Sequence, residues 1–186
     1  MGEETRGFKK KTLVFWLLFV AVVLTLYWTH QDQVDVELIR GMVEEHRGLV
    51  IPAYLLLLSL LGLTFIPSTP FAIAGVFLFD PTAAYLLNLL GIITSSTIVY
   101  HFARFLGLHL AFEARYPTQT ERVRKALSRK ELPIIAGWSF FPAVPTDLII
   151  YVASTLKVPL WKCLLGVLLG EGCLNAFYIF SVNAAL

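Results

Sequence analysis

Charge is what this chain has least of. Of its 186 residues only 15% are Asp, Glu, Lys or Arg, while 57% are hydrophobic and the mean hydropathy is +0.72. Soluble domains are about 25% charged and about 45–50% apolar. A soluble chain this apolar could not cover its own surface, which makes it a polytopic membrane protein and excludes a disordered tail, a coiled coil or a disulfide scaffold. The net charge of +2 is too small for a nucleic-acid partner. Cysteine is scarce as well: Cys163 and Cys173 lie in one apolar run without metal-ligand spacing, so they report nothing about redox compartment. Enzyme signatures are missing too. Without G-x-S-x-G, H-E-x-x-H or a paired-Asp helix motif, the chain reads as neither an enzyme nor the holder of a cofactor or metal.

What charge there is sits in islands. The first holds Arg6, Lys9, Lys10 and Lys11, followed by the uncharged run 12–29, which ends near Tyr27 and Trp28. About 20 apolar residues span a bilayer and aromatics favour its interfaces, so this run is an uncleaved signal anchor; a signal peptide would have a shorter core and a small-residue cleavage site. The second island, His30 to Gly48, is acidic, with Val34, Leu38 and Met42 at helical spacing, and is expected to lie on the membrane as an amphipathic helix. The third, Arg104 to Glu131, is basic, and Thr118 with Glu121 forms a capping box that opens a short helix through Lys130. Positive charge marks the cytoplasmic side. The N-terminus and residues 107–131 are therefore expected inside, residues 30–48 and the C-terminus outside.

Segment lengths then restrict the topology. Residues 49–66 are apolar, Pro67-Ser68-Thr69-Pro70 interrupts, and the run from Phe71 to Phe79 is too short to cross. A hairpin over 49–80 that turns at the prolines and returns to the same face satisfies both charge and length, leaving 82–105 to cross. The pattern recurs: residues 132–141 are apolar, Pro142-Ala143-Val144-Pro145 interrupts, and 159–183 form a final long segment. Pro67 and Pro142, Pro70 and Pro145, and Gly91 and Gly166 each stand 75 residues apart. The expectation is an all-α membrane fold: a region 1–48, then a membrane domain 49–186. In that domain two opposed re-entrant hairpins (49–80 and 132–156) with PxxP tips form an inverted repeat, the sequence pointer to a transport site.

At this point the residues resemble a known family. Pro70 to Phe77, Gly91 and Tyr100 to Gly107 are similar to the first half of the DedA/SNARE-associated (VTT) superfamily. Phe141 to Asp147, Tyr151 and Lys157-Val158-Pro159 are similar to its second proline hairpin and the segment after that hairpin. The resemblance covers about residues 49–180 and implies two opposed re-entrant hairpins and lipid translocation, of undecaprenyl phosphate in bacterial members and phospholipids in eukaryotic ones, with proton coupling proposed. The chain departs from the pattern where an Arg usually precedes the second hairpin's first proline; here that residue is Ser139. A second Arg of the DedA branch is replaced by Pro145, and a common Gly by Ser154.

A charge inside a bilayer costs about 2.5–3.5 kcal/mol, so it needs a partner, water or a role. Glu171, between Gly170 and Gly172, has no local reason to be there. Asp147 lies just past the second proline turn, where it could cap a half-helix starting near Thr146. Asp80 precedes Pro81, which is ordinary turn chemistry. Glu171, Asp147 and Asp80 are the candidate transport and proton-coupling acids. Half-helix N-termini at the proline turns favour anions, so Pro67, Ser68, Thr69, Pro70, Ser139, Pro142, Pro145 and Thr146 are candidate substrate-binding residues. Tyr151 and Arg104 join them, although Arg104 could equally snorkel to the interface. His101 is read as a helix-lining residue and Thr94, Ser95 and Ser96 as packing residues.

The expected function is a membrane transporter that flips or scrambles a phosphate-bearing lipid, with proton coupling through Glu171 and Asp147. A small ion or solute carrier of the same fold and a non-transporting assembly factor are the alternatives. The expected partners are the bilayer and an anionic, phosphate-bearing lipid headgroup, with homo-oligomerisation left open. The expected location is the cell membrane of a bacterium or archaeon.

Overall fold

The computed structural model describes residues 11–12, 14–19, 21–22, 25, 29, 47–64, 66, 68–128, 130–142 and 144–185. Among the described residues every regular element is an α-helix: α1 (Arg47–Leu61), α2 (Thr69–Leu78), α3 (Pro81–Phe105), α4 (Leu108–Arg115), α5 (Pro117–Ser128), α6 (Glu131–Ser139), α7 (Thr146–Thr155) and α8 (Leu160–Ala185). Only two of these, α3 and the Leu160–Val182 part of α8, are long and apolar enough to cross a membrane. The expected amphipathic helix over 30–48 falls almost wholly outside the described residues.

Local chemistry sets the breaks. Pro70 sits at the start of α2, where its missing N–H costs nothing. Helix α3 opens the same way, on Pro81, and the Asp80 carboxylate accepts from Ala83 N at 3.1 Å. Gly107, at φ +70°, supplies the left-handed residue that turns α3 into α4. At the end of α7 that job falls to Lys157, at φ +64°: its N–H bonds Ser154 O at 3.1 Å and Val158 N bonds Ala153 O at 2.9 Å, a Schellman closure. The capping box does not form. Helix α5 already begins at Pro117, and Glu121 instead pairs with Arg124 and Lys125 at 3.3 and 3.6 Å.

The two long helices lie against each other at the centre. Helix α3 carries α1 and α7, α8 carries α6, and α2 touches both long helices, as α7 does. Glycines allow these approaches. A Cβ on Gly91 would lie 2.7 Å from Leu58 of α1, and one on Gly166 would lie 2.8 Å from Ile135 of α6. Ile92, Val99, Ile135, Ile150, Cys163 and Val167 form the core between them. Leu56, Leu86, Leu90, Leu169 and Phe177 remain exposed, an apolar exterior that suits hydrocarbon rather than water.

Candidate functional site

Two helix breaks come together against the middle of α8: Ser68, from the break between α1 and α2, and Phe141, Pro142, Val144 and Pro145, from the break between α6 and α7. Glu171 stands at that point, only 5% exposed. Its carboxylate accepts from the Ser68 hydroxyl, which is thereby turned away from capping α2, and Thr146 at the start of α7 lines the same cavity as Glu171. Asp147 is the second residue of α7 and does not occupy its N-cap position, which is Pro145. Its carboxylate reaches across to α3 and accepts from Ser95 Oγ at 3.2 Å. The backbone at Gly62, just past the end of α1, presses on this pair: any Cβ there would overlap Ser95 Oγ and Asp147 Oδ1.

Two small cavities flank Glu171. The first, about 20 Å³, is lined by Ser68, Asn88, Ser95, Ser96, Asp147 and Glu171 among apolar neighbours, room for about one water. The second, about 10 Å³, lies between the two breaks and is lined by Ser68, Thr69, Ser139, Pro142, Pro145, Thr146 and Glu171, with Phe141, Val144 and Leu174. Ser139 is 1% exposed and its hydroxyl has no hydrogen-bond partner. It is held there because α6 abuts α8 at Gly170, where a Cβ would lie 2.8 Å from Ser139 Cβ. Among the described residues, no Lys, Arg or His lines either cavity.

Most of the residues singled out from sequence therefore meet at one place: Glu171, Asp147, Ser68, Thr69, Ser139, Pro142, Pro145 and Thr146. Pro70 sits one residue into α2 without lining either cavity, and Pro67 lies outside the described residues. The remaining candidates are elsewhere. Asp80 is an exposed N-cap. Arg104 is exposed at the end of α3, its guanidinium 5.6 Å over the ring of Tyr100, whose hydroxyl donates to Val158 O at 2.8 Å. His101 packs edge-on to the same ring. Tyr151 is buried in the core with its ring 5.6 Å from that of Trp16, whose indole N–H donates to Leu63 O at 2.8 Å.

Sequence reasoning passed over Asn88, Gly62 and Ser95. Asn88, 2% exposed, donates to Tyr54 OH at 3.0 Å, and Tyr54 donates to Phe71 O at 2.8 Å, a bracket that ties both halves of the first broken helix to α3. An amide set among Leu86, Leu87, Leu89 and Leu90 of α3 was the available signal. Ser95 was read as packing; its neighbour Thr94 does serve packing, bonding Ser59 of α1 at 2.7 Å.

No curated protein and no solved structure matches the chain. A family model described as the VTT domain matches residues 66–184, a span that takes in both proline motifs, both long helices and both acids of the site. The chain belongs to the VTT domain family.

Proposed function

We propose that this chain is a membrane transporter that translocates a phosphate-bearing lipid, such as undecaprenyl phosphate or a phospholipid, with Glu171 and Asp147 carrying a coupling proton. The observation that carries this reading is the pair of carboxylates at the meeting point of two helix breaks, with hydroxyl donors and, among the described residues, no cation beside them. Ionisable groups in a membrane interior mark pathways for protons or substrates, and interrupted helices mark transport sites. Broken pairs α1–α2 and α6–α7 are read as re-entrant hairpins entering from opposite faces, with the N-terminus cytoplasmic. In support, Gly91 and Gly166 seat the first half of each pair on its long helix, and α2 and α7 each touch both long helices. A hydroxyl-rich contact between the breaks offers a headgroup its route, and backbone freed at the breaks is tolerated because it is buried in protein or lines a wet cavity.

The size of the first cavity favours one other reading: a space for about one water suits a carrier of a small ion. Purified protein in liposomes separates the two. Lipid translocation should exceed that of protein-free vesicles and respond to an imposed pH gradient. Ion flux without lipid movement would select the small-ion carrier, and neither activity would sink both.

A further inference from the structure

We infer that Trp16 is a latch on the site: its side chain holds the first helix break against α7 and α3, and it has to let go before the cavities beside Glu171 and Asp147 open. The inference rests on the transporter reading for what the opening admits; the opening itself is tested without it. It begins with an acceptor stranded by the residue order. Continuing α1 would give the Leu63 carbonyl a partner at residue 67, and Pro67 has no N–H. A carbonyl without a donor in a membrane interior is strongly unfavourable. The Trp16 indole supplies the donor, at 2.8 Å. In the second break the Pro145 carbonyl is met by Trp138 of the adjoining α6, at 3.5 Å. The first break instead takes its donor from an N-terminal segment that, like Leu63 itself, lies outside the family-matched span 66–184.

The same ring joins three elements. Its centroid lies 5.5 Å from that of Phe102 on α3 and 5.6 Å from that of Tyr151 on α7. Trp16, Leu63 and Phe102 all pack on the buried core that includes Tyr151. These contacts fall close to the acids. Tyr151 is one helical turn from Asp147 and Phe102 two turns from Ser95, while Gly62, beside Leu63, presses on both Asp147 and Ser95. At about 20 and 10 Å³ the cavities are too small for any headgroup, so passage needs the first break to move off α7. That motion separates Leu63 from Tyr151, and Trp16 is bonded to one and packed on the other.

The test places a reporter in the first cavity: Ser96→Cys, at a position 1% exposed. The full-length protein carries Cys163→Ala and Cys173→Ala, sits in liposomes and is treated with a small water-soluble methanethiosulfonate. Trp16→Phe keeps a ring and removes the N–H; Trp16→Ala removes both. Labelling should be slow with Trp16 in place and about tenfold faster with Trp16→Phe, the shift expected when a buried carbonyl loses its donor. It should be faster still with Trp16→Ala. Phe15→Ala, on the same segment but 73% exposed, should leave the rate unchanged. No acceleration in folded Trp16→Phe would overturn the latch, and that variant decides if Trp16→Ala fails to fold. Equal acceleration by Phe15→Ala would also overturn it, because the segment would then be a general support. Lipid movement is followed in parallel with Ser96 in place, and should rise with the labelling rate. Accelerated labelling with no lipid movement in any variant would keep the latch and overturn the lipid reading.

Discussion

Glu171 and Asp147 are neighbours in space because helix α7 starts beside the middle of α8, yet each has its own hydroxyl donor, Ser68 and Ser95 respectively. Replacing Glu171 by Gln keeps the shape and a hydrogen-bonding side chain but removes the carboxyl proposed to carry the coupling proton. Transport by Glu171→Gln is expected to lose its response to a pH gradient while the protein still inserts and elutes as the wild type. Asp147→Asn should slow transport and keep the contact with Ser95, since the amide oxygen still accepts. Wild-type pH profiles in both variants would make these acids structural only. Tyr54 gives a purely structural counterpart. Tyr54→Phe removes the bond to Phe71 O and leaves Asn88 short of a buried partner, so a loss of about 1–3 kcal/mol is expected, measurable as a lower unfolding midpoint in detergent.

Among the elements, the contact of α6 with α8 is the least forgiving. A Cβ on Gly170 would overlap the backbone oxygen of Ala136, and backbone cannot swing aside as a side-chain tip can. Gly170→Ala should therefore cost about 1–3 kcal/mol by overpacking, whereas Gly137→Ala, with open space around it, should cost nothing measurable. The short helices outside the core depend on charge instead. Glu113 of α4 is bridged to Lys157 at 2.9 Å and to Arg124 of α5. This clasp holds α4 to α5 and to the left-handed residue that ends α7. Bonds from Lys157 and then from Arg124 hold the Glu113 carboxyl below its ordinary value of 4.5. A depressed carboxyl contributes stability that is present above its unfolded value and lost as pH falls through the folded one. A spin label at Thr118 should thus be immobile at neutral pH and gain mobility as pH falls through and below 4.5, and in Glu113→Gln it should be mobile throughout.

For the whole molecule, the proposed orientation rests on the arrangement of charge in the sequence, with the basic residues of α4 and α5 on the cytoplasmic side and the acidic residues 30–48 on the other. In a cysteine-free background, Asp35→Cys and Lys125→Cys should label from opposite faces of the membrane; labelling from the same face would overturn the opposed-hairpin topology. Exposed leucines and phenylalanines around the long helices carry no such information, because hydrocarbon solvates them equally at any depth or rotation.

Class, helix breaks and most of the site were legible in the residue order, since each depends on local chemistry. A chain with so few charges can be solvated only by a bilayer, Pro67 to Pro70 and Pro142 to Pro145 interrupt helices wherever they occur, and Glu171 among apolar neighbours has to be accommodated by something. The same locality explains the misplaced start of α5: Thr118 and Glu121 have the spacing of a capping box, but Pro117 already fits the first turn, and Glu121 found cations on its own helix instead. Tertiary structure alone decided which distant groups meet. The partners of Asp147 and Glu171 are Ser95 and Ser68, 52 and 103 residues away in sequence, and no periodicity encodes a pairing across that distance. The glycines at 62 and 170 became close-approach points, and Asn88 a bracket, only once neighbouring helices were packed against them. Arg104 went to the end of α3 and Asp80 to a cap for the complementary reason: near a helix terminus water and free backbone groups satisfy a charge, and nothing draws it inward.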